Sequence, residues 1–239
     1  MCYSYAIGGR QFQHMVRTGQ DVEGLLRNIE PKFRLANAFE HHKMPILTNE
    51  RLEQFNWGLV PSWVKTTDDA SKIRKQTLNA VSETVFEKPS FRGSIKTKRC
   101  LIPATGFFEW RHVGKVTFPY YITSGDLSLF WFAGIYNSCE VGDRDYNTFS
   151  ILTTEANPLM AVIHNEKKRM PVILDEPSMN KWLDVKLPEA EIKAICKPYP
   201  ADHMKAHTIK HIKISQNIED AEDVIRPFEY FELEEIPFE

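Results

Sequence analysis

With 239 residues, 42% hydrophobic and 26% charged, the chain can bury a core without disulfide support, which excludes a disordered chain and a cysteine framework. Four cysteines lack a CxxC pair, no basic segment precedes an apolar run at the N-terminus, and no window nears about 18 apolar residues; free thiols, no signal peptide, no membrane and a cytoplasmic location are expected. Net charge is −2, too small to draw nucleic acid globally, but nine Lys or Arg face four acids between Lys65 and Arg99, and nine acids stand with one Arg from Ile218 onward.

The chain opens with a short strand, CYSYAI (2–7), dense in β-formers. A helix is expected over 21–33, stopped near Pro31. MPILTNE (44–50) and LEQFNWGLV (52–60) read as strands, and 61–75 as a loop ending in one or two helical turns. Ser82 stands where an N-cap would start a short helix, SETVFE. Residues 99–123 form two strands around His112–Lys115, with Gly114 in the turn. LSLFWFAGIYN (127–137) and YNTFSILTTEA (146–156) are two more, joined by the polar stretch Glu140–Asp145. NPLMAVIH (157–164) is a short helix capped by Asn157, with Pro158 at its first position. A strand RMPVIL, two amphipathic helices (176–184 and 187–197) and a late strand over 205–215 complete the chain.

Many strands, short helices and no βαβ rhythm predict one α+β domain over 1–239, with mixed, mostly antiparallel sheets forming a barrel-like core flanked by short helices.

Cys2 is the first residue able to carry chemistry. Its side chain is small enough for Met1 to be removed, leaving an α-amine and a thiol on one residue. The amine has a reference pKa of about 7.7–8.0 and the thiol about 8.5, so both are usable nucleophiles. Together they suit an aldehyde: the amine forms an imine, and the thiol closes a five-membered thiazolidine. A buried, incidental cysteine is the competing explanation. Asn79, in LNAVSETV, carries an amide able to orient an amine and a sugar oxygen together, or is merely a turn residue. Glu109, in GFFEW, would have a raised pKa if buried among aromatics, as a general acid requires, or is an exposed strand carboxylate.

His164 ends a short helix and is a candidate acid–base group. Lys167, Lys168 and Arg169 follow it, either as phosphate ligands or as a polar loop. Of the two tryptophans in WGLVPSW, Trp57 reads as core, and Trp63, near Lys65, as a surface platform for unpaired bases. His203, His207 and His211 are spaced for a zinc site on a helix, but the segment reads as a strand, which sets His207 and His211 roughly 13 Å apart; no metal is expected.

The order of these motifs carries more than any one of them. MC, WGLVPSW, LNAVSET, RCLIPATGFFEW and IHNEKKRMPVIL resemble the SOS response-associated peptidase (SRAP) family over residues 2–174, and more weakly over 175–239. The resemblance implies a protein that senses abasic sites in single-stranded DNA and crosslinks to them once per molecule. It also implies lyase-like chemistry and peptidase-type self-processing ahead of the cysteine. Cys2 matches the nucleophile and Asn79 the residue that positions it. Glu109 and His164 match the groups that move protons, Arg169 a phosphate-binding arginine, Trp63 an aromatic near the strand, and Thr153 a hydroxyl near the backbone. No cofactor is implied, and a monomer is expected.

The chain departs from the family pattern in three places. Tyr3 and Ser4 replace Gly and Arg, Val81 replaces an arginine, and the usual H-x-R-x-P is lengthened to HNEKKRMP. Two lost arginines imply a weaker and differently distributed DNA affinity, for which Lys65, Lys72, Arg74, Lys75, Lys167 and Lys168 are candidate substitutes. The alternatives are an N-terminal-nucleophile cysteine amidohydrolase, whose Gly-Ile opening is missing here, and a single-stranded DNA-binding module without chemistry.

Overall fold

The computed structural model of the chain describes residues 2–8, 34–125, 129–211 and 223–233. Thirteen strands run in chain order among them. β1 is Ser4–Ile7, β2 Arg34–Asn37, β3 Lys43–Leu47, β4 Leu52–Trp57 and β5 Asn79–Val81. β6 is Arg99–Ala104, β7 Gly106–Val113, β8 Val116–Ser124, β9 Phe130–Val141 and β10 Arg144–Glu155. β11 is Arg169–Pro171, β12 Ile173–Leu174 and β13 Met204–Thr208. The helices are α1 (Thr67–Arg74), α2 (Ser94–Thr97), α3 (Pro158–Ile163), α4 (Glu176–Leu183) and α5 (Glu189–Ile195).

The larger sheet closes on itself. β10, β4, β3, β6 and β9 are hydrogen-bonded in that order and β9 returns to β10, giving a five-stranded barrel. The second sheet has the order β13–β8–β7–β1–β2. This is the expected single α+β domain with a barrel core and short flanking helices.

The long apolar runs arise because barrel strands are buried on both faces. In β9, Phe130 and Phe132 share a core with Tyr5, Ile7, Phe107 and Ile122, whereas Trp131, Ala133 and Ile135 pack with Trp182 of α4 and Ile192 of α5. Beyond Tyr136 the strand alternates between buried and exposed side chains. Helix starts follow the capping residues: Asn157 accepts from Met160 N, Asp175 from Ser178 N and Thr66 from Asp69 N.

Several expectations are corrected. The strand expected to run unbroken from Arg99 to His112 divides at Thr105, where the chain leaves the barrel for the second sheet; Thr105 N donates there to Ala6 O at 2.8 Å. RMPVIL likewise divides into β11 on β10 and β12 on β9. Ser82 caps no helix. Its N–H is taken by Thr153 O at 2.9 Å at the end of β5, and a series of turns, in place of a helix, runs on toward α2. The late strand is shorter than expected, ending at Thr208. The helix expected over 21–33 lies outside the described residues.

Gly106 opens β7 where the Tyr121 ring crosses it. A Cβ at that position would stand 2.2 Å from the ring, whose hydroxyl donates to Thr105 O at 3.1 Å. Gly106→Ala should therefore destabilise the fold by about 1–3 kcal/mol, read as a lower denaturation midpoint with an unchanged m-value.

Candidate active site

Cys2 precedes β1 and is fully buried. Its Sγ lies 3.5 Å from Ser4 O, and its carbonyl accepts from Asn79 Nδ2 at 2.9 Å. Asn79 is the first residue of β5, fixed by parallel pairing with Ile151 of β10. The other end of its amide, Oδ1, is buried and has no hydrogen-bond partner among the described residues. A buried acceptor left open in this way is costly unless something else fills it.

Glu109 sits in the middle of β7, opposite Tyr120, and is 4% exposed. Burial lifts its carboxyl to about 8, against a downward pull from the Trp110 backbone N–H. Burial also pushes the Cys2 thiol up, and the nearby charge of Glu109 adds to the shift. His164 closes α3 as its C-cap. Its Nδ1 lies 2.9 Å from Arg169 O and 4.0 Å from Glu109 Oε1. A carbonyl can only accept, so Nδ1 carries the proton and Nε2 keeps its lone pair. Burial holds the imidazole below its ordinary pKa, partly offset by the Arg169 carbonyl. At neutral pH the cluster thus offers a protonated carboxyl, a neutral imidazole and a protonated thiol: one acid and one base with little net charge.

The structure brings Cys2, Asn79, Glu109 and His164 together, and it sets the expected DNA contacts apart from them. Arg169 gives Nη1 and Nη2 to the two oxygens of Glu83, both at 2.8 Å, and Nη2 also donates to Thr153 O at 2.7 Å. Burial pushes the Glu83 carboxyl up, but the Arg169 hydrogen bonds outweigh it and leave it below its ordinary value. The expected phosphate ligand is thus already engaged within the protein. Thr153 is fully buried in β10, so its hydroxyl does not face solvent, and the strand alternation of a doubly buried segment is the reason.

Trp63 is 53% exposed, with its indole N–H directed at Pro89 O, and Trp57 is core. Trp63 lines a groove of about 580 Å³ together with Tyr3, Lys75, Asn79, Val81 and Lys88. Lys65, Lys167 and Lys168 are exposed. His203 ends a short 3-10 helix, Ala201–His203, and His207 Nε2 contacts Ile225 O; no group suited to a metal is found among the described residues. No helix among them is long and apolar enough to cross a membrane.

One residue of the site was missed by sequence reasoning. Asn165 clamps β7: its Oδ1 accepts from His112 N at 3.0 Å and its Nδ2 donates to His112 O at 2.7 Å. The segment between His164 and Arg169 is thereby tied down three residues beyond Glu109, and Lys168 N donates to His164 O at 2.8 Å. Lys168 turns the chain there with φ 48°, in the left-handed region. The only sequence signal was the added length itself.

Residues 1–214 match the model of the SOS response associated peptidase (SRAP) family. The chain is 38% identical over 168 residues to the abasic site processing protein YoqW of Bacillus subtilis, covering 69% of this chain and 72% of that one. It is 31% identical over 226 residues to the abasic site processing protein HMCES of Gallus gallus, covering 84% and 66%. A crystal structure of a protein from Bacteroides thetaiotaomicron superposes with a TM-score of 0.87 at 39% identity, covering 95% of this chain and all of that one.

Two outcomes follow from the geometry. The native state holds the Glu109 proton up to about pH 8, whereas an ordinary carboxyl releases it near 4.5. Between those values the unfolded chain binds fewer protons, so stability falls as pH rises. Glu109→Gln should flatten that fall in thermal melts across the window; an identical pH slope in both proteins would contradict the burial of the carboxyl. Asn165→Ala should lower stability by about 1–2 kcal/mol and broaden the His164 imidazole resonances in NMR spectra.

Proposed function

The chain belongs to the SOS response associated peptidase family, and on that premise we propose that it captures abasic sites in single-stranded DNA as a covalent thiazolidine on Cys2. The observation that carries this reading is the buried quartet: Asn79 holds the Cys2 carbonyl and keeps its own oxygen open, beside an acid and a base that are both uncharged at neutral pH.

The chemistry begins once Met1 is removed and the Cys2 amine is free. The abasic sugar opens from hemiacetal to aldehyde with a proton from Glu109 and proton removal at His164 Nε2. The amine adds to the aldehyde carbon and water leaves, giving the imine. The thiol sulfur then adds to the same carbon, its proton passes to nitrogen, and the ring closes. Water is the only product released, no oxidant or cofactor enters, and the high thiol pKa calls for a base such as His164 at the last step. The Asn79 oxygen is placed to accept from the Cys2 amine or from a sugar hydroxyl.

The reaction is single-turnover, and the adduct shields the lesion. The same acid and base would serve peptidase-type removal of residues ahead of Cys2. The protein acts as a cytoplasmic monomer, associated with the nucleoid when bound to single-stranded DNA. Trp63 and the exposed Lys65, Lys167 and Lys168 are the proposed strand contacts.

Intact-mass spectrometry after incubation with a single-stranded oligonucleotide bearing one abasic site tests the proposal. The expected product is protein lacking Met1 plus oligonucleotide less one water, stable to heat. Cys2→Ala and Cys2→Ser should give no heat-stable adduct. Correctly processed wild-type protein that forms none would sink the proposal.

A further inference from the structure

The groups that would act on an aldehyde are all internal to the fold. Asn79 comes from β5, Glu109 from β7 and His164 from the end of α3, and their tasks of holding Cys2, giving a proton and taking one concern the aldehyde alone. Cations are kept away from this cluster. Ser4 is buried, Val81 brings an apolar side chain to the groove, and both terminal nitrogens of Arg169 are on Glu83. The lysines of the groove, Lys75 and Lys88, stand on the C-cap of α1 and on the turns ahead of α2, not on the segments that carry the cluster. Asn79 lines the same groove and is only 7% exposed, and its Oδ1 has no hydrogen-bond partner among the described residues. A buried acceptor beside a cavity is set for a hydroxyl or N–H of an occupant. The groove, at about 580 Å³, has the size of a small-molecule site.

We propose that Cys2 has a second class of substrate, free and uncharged hydroxyaldehydes, which it captures in the absence of any DNA. The inference rests on the crosslinking reading and extends it from a strand-borne aldehyde to a small one in solution. The reaction balances without a strand. Glu109 and His164 open the cyclic hemiacetal of a sugar, the Cys2 amine forms a C–N bond to the aldehyde carbon, and the carbonyl oxygen leaves as water with the two amine protons. The thiol sulfur then bonds to the same carbon and its proton passes to nitrogen, with no oxidation or reduction. The open acceptor of Asn79 favours an aldehyde that carries a hydroxyl. A phosphorylated sugar is disfavoured, because its anion would enter a dry cluster of near-neutral groups. A captured aldehyde uses up both the amine and the thiol, so capture and DNA crosslinking exclude each other on one molecule.

The test follows intact mass with time on the full chain lacking Met1, incubated with 2-deoxyribose or with 2-deoxyribose 5-phosphate. The reference is a peptide of the same opening sequence, CYSYAI, which has the amine and the thiol but no acid or base and must wait for the open-chain sugar. The expected product is protein plus sugar less one water, formed about a hundredfold faster than on the peptide, with the neutral sugar ahead of its phosphate ester. Glu109→Gln should bring the rate down toward that of the peptide, and protein saturated with 2-deoxyribose should give no adduct with an abasic oligonucleotide. A wild-type rate no higher than the peptide's overturns the inference, because burial would then shield Cys2 from free aldehydes. Faster capture of the phosphate ester also overturns it, because a cation would then be holding the anion. The abasic oligonucleotide run in parallel with untreated protein separates the two failures. A strand adduct without fast sugar capture rejects only the second substrate, and neither product rejects the crosslinking reading as well.

Discussion

Strand β10 offers hydrogen-bonding groups along two edges, and four other strands divide them. β9 and then β11 take one edge; β4 and then β5 take the other. Pairing with β9 and β4 closes the barrel. Pairing with β5 and β11 places Asn79 on one side and Arg169 on the other, and the Arg169 carbonyl in turn orients the His164 ring. Each backbone N–H and C=O of a buried strand must find a partner, so the same requirement that shuts the barrel also sets the distance between the two halves of the site. Glu109 arrives from the second sheet, through β7.

The site keeps charge out. Cys2 and Glu109 are both buried enough that ionisation is disfavoured, and His164 is pushed toward its neutral form. Protons can then be exchanged among near-neutral groups without creating an isolated buried ion, which would be expensive in so dry a place. Full charges gather instead in the Glu83–Arg169 pair, where they satisfy each other. The buried near-neutral cluster and the fully charged pair therefore draw on different residues.

Several elements around the candidate site were legible in the sequence because they depend on local patterns. The opening strand, the Asn157-capped helix ahead of His164 and the division between core Trp57 and exposed Trp63 all follow from nearby residues. Features set by distant partners were not legible. Nothing near Arg169 reveals that Glu83, 86 residues away, will take its guanidinium. Thr153 reads as a polar strand residue, yet barrel closure buries both faces of β10 around it. The break at Thr105 depends on Ala6 accepting its N–H, a contact that alternation within RCLIPATGFFEW does not encode. Glu109 had two possible fates on its strand, and only the packing of the second sheet decided for burial.

The burial of Cys2 also has a consequence for timing during synthesis. In the fold that still carries Met1 the residue is buried, next to β1, whose partners include β7, and held by Asn79. Cys2 is thus covered by segments made much later. At translation speeds of about 5–20 residues per second, the stretch between Cys2 and Phe107 takes roughly 5–20 s to appear. Any enzyme that reaches this segment from outside has that interval on the nascent chain, and afterwards the fold itself restricts its access.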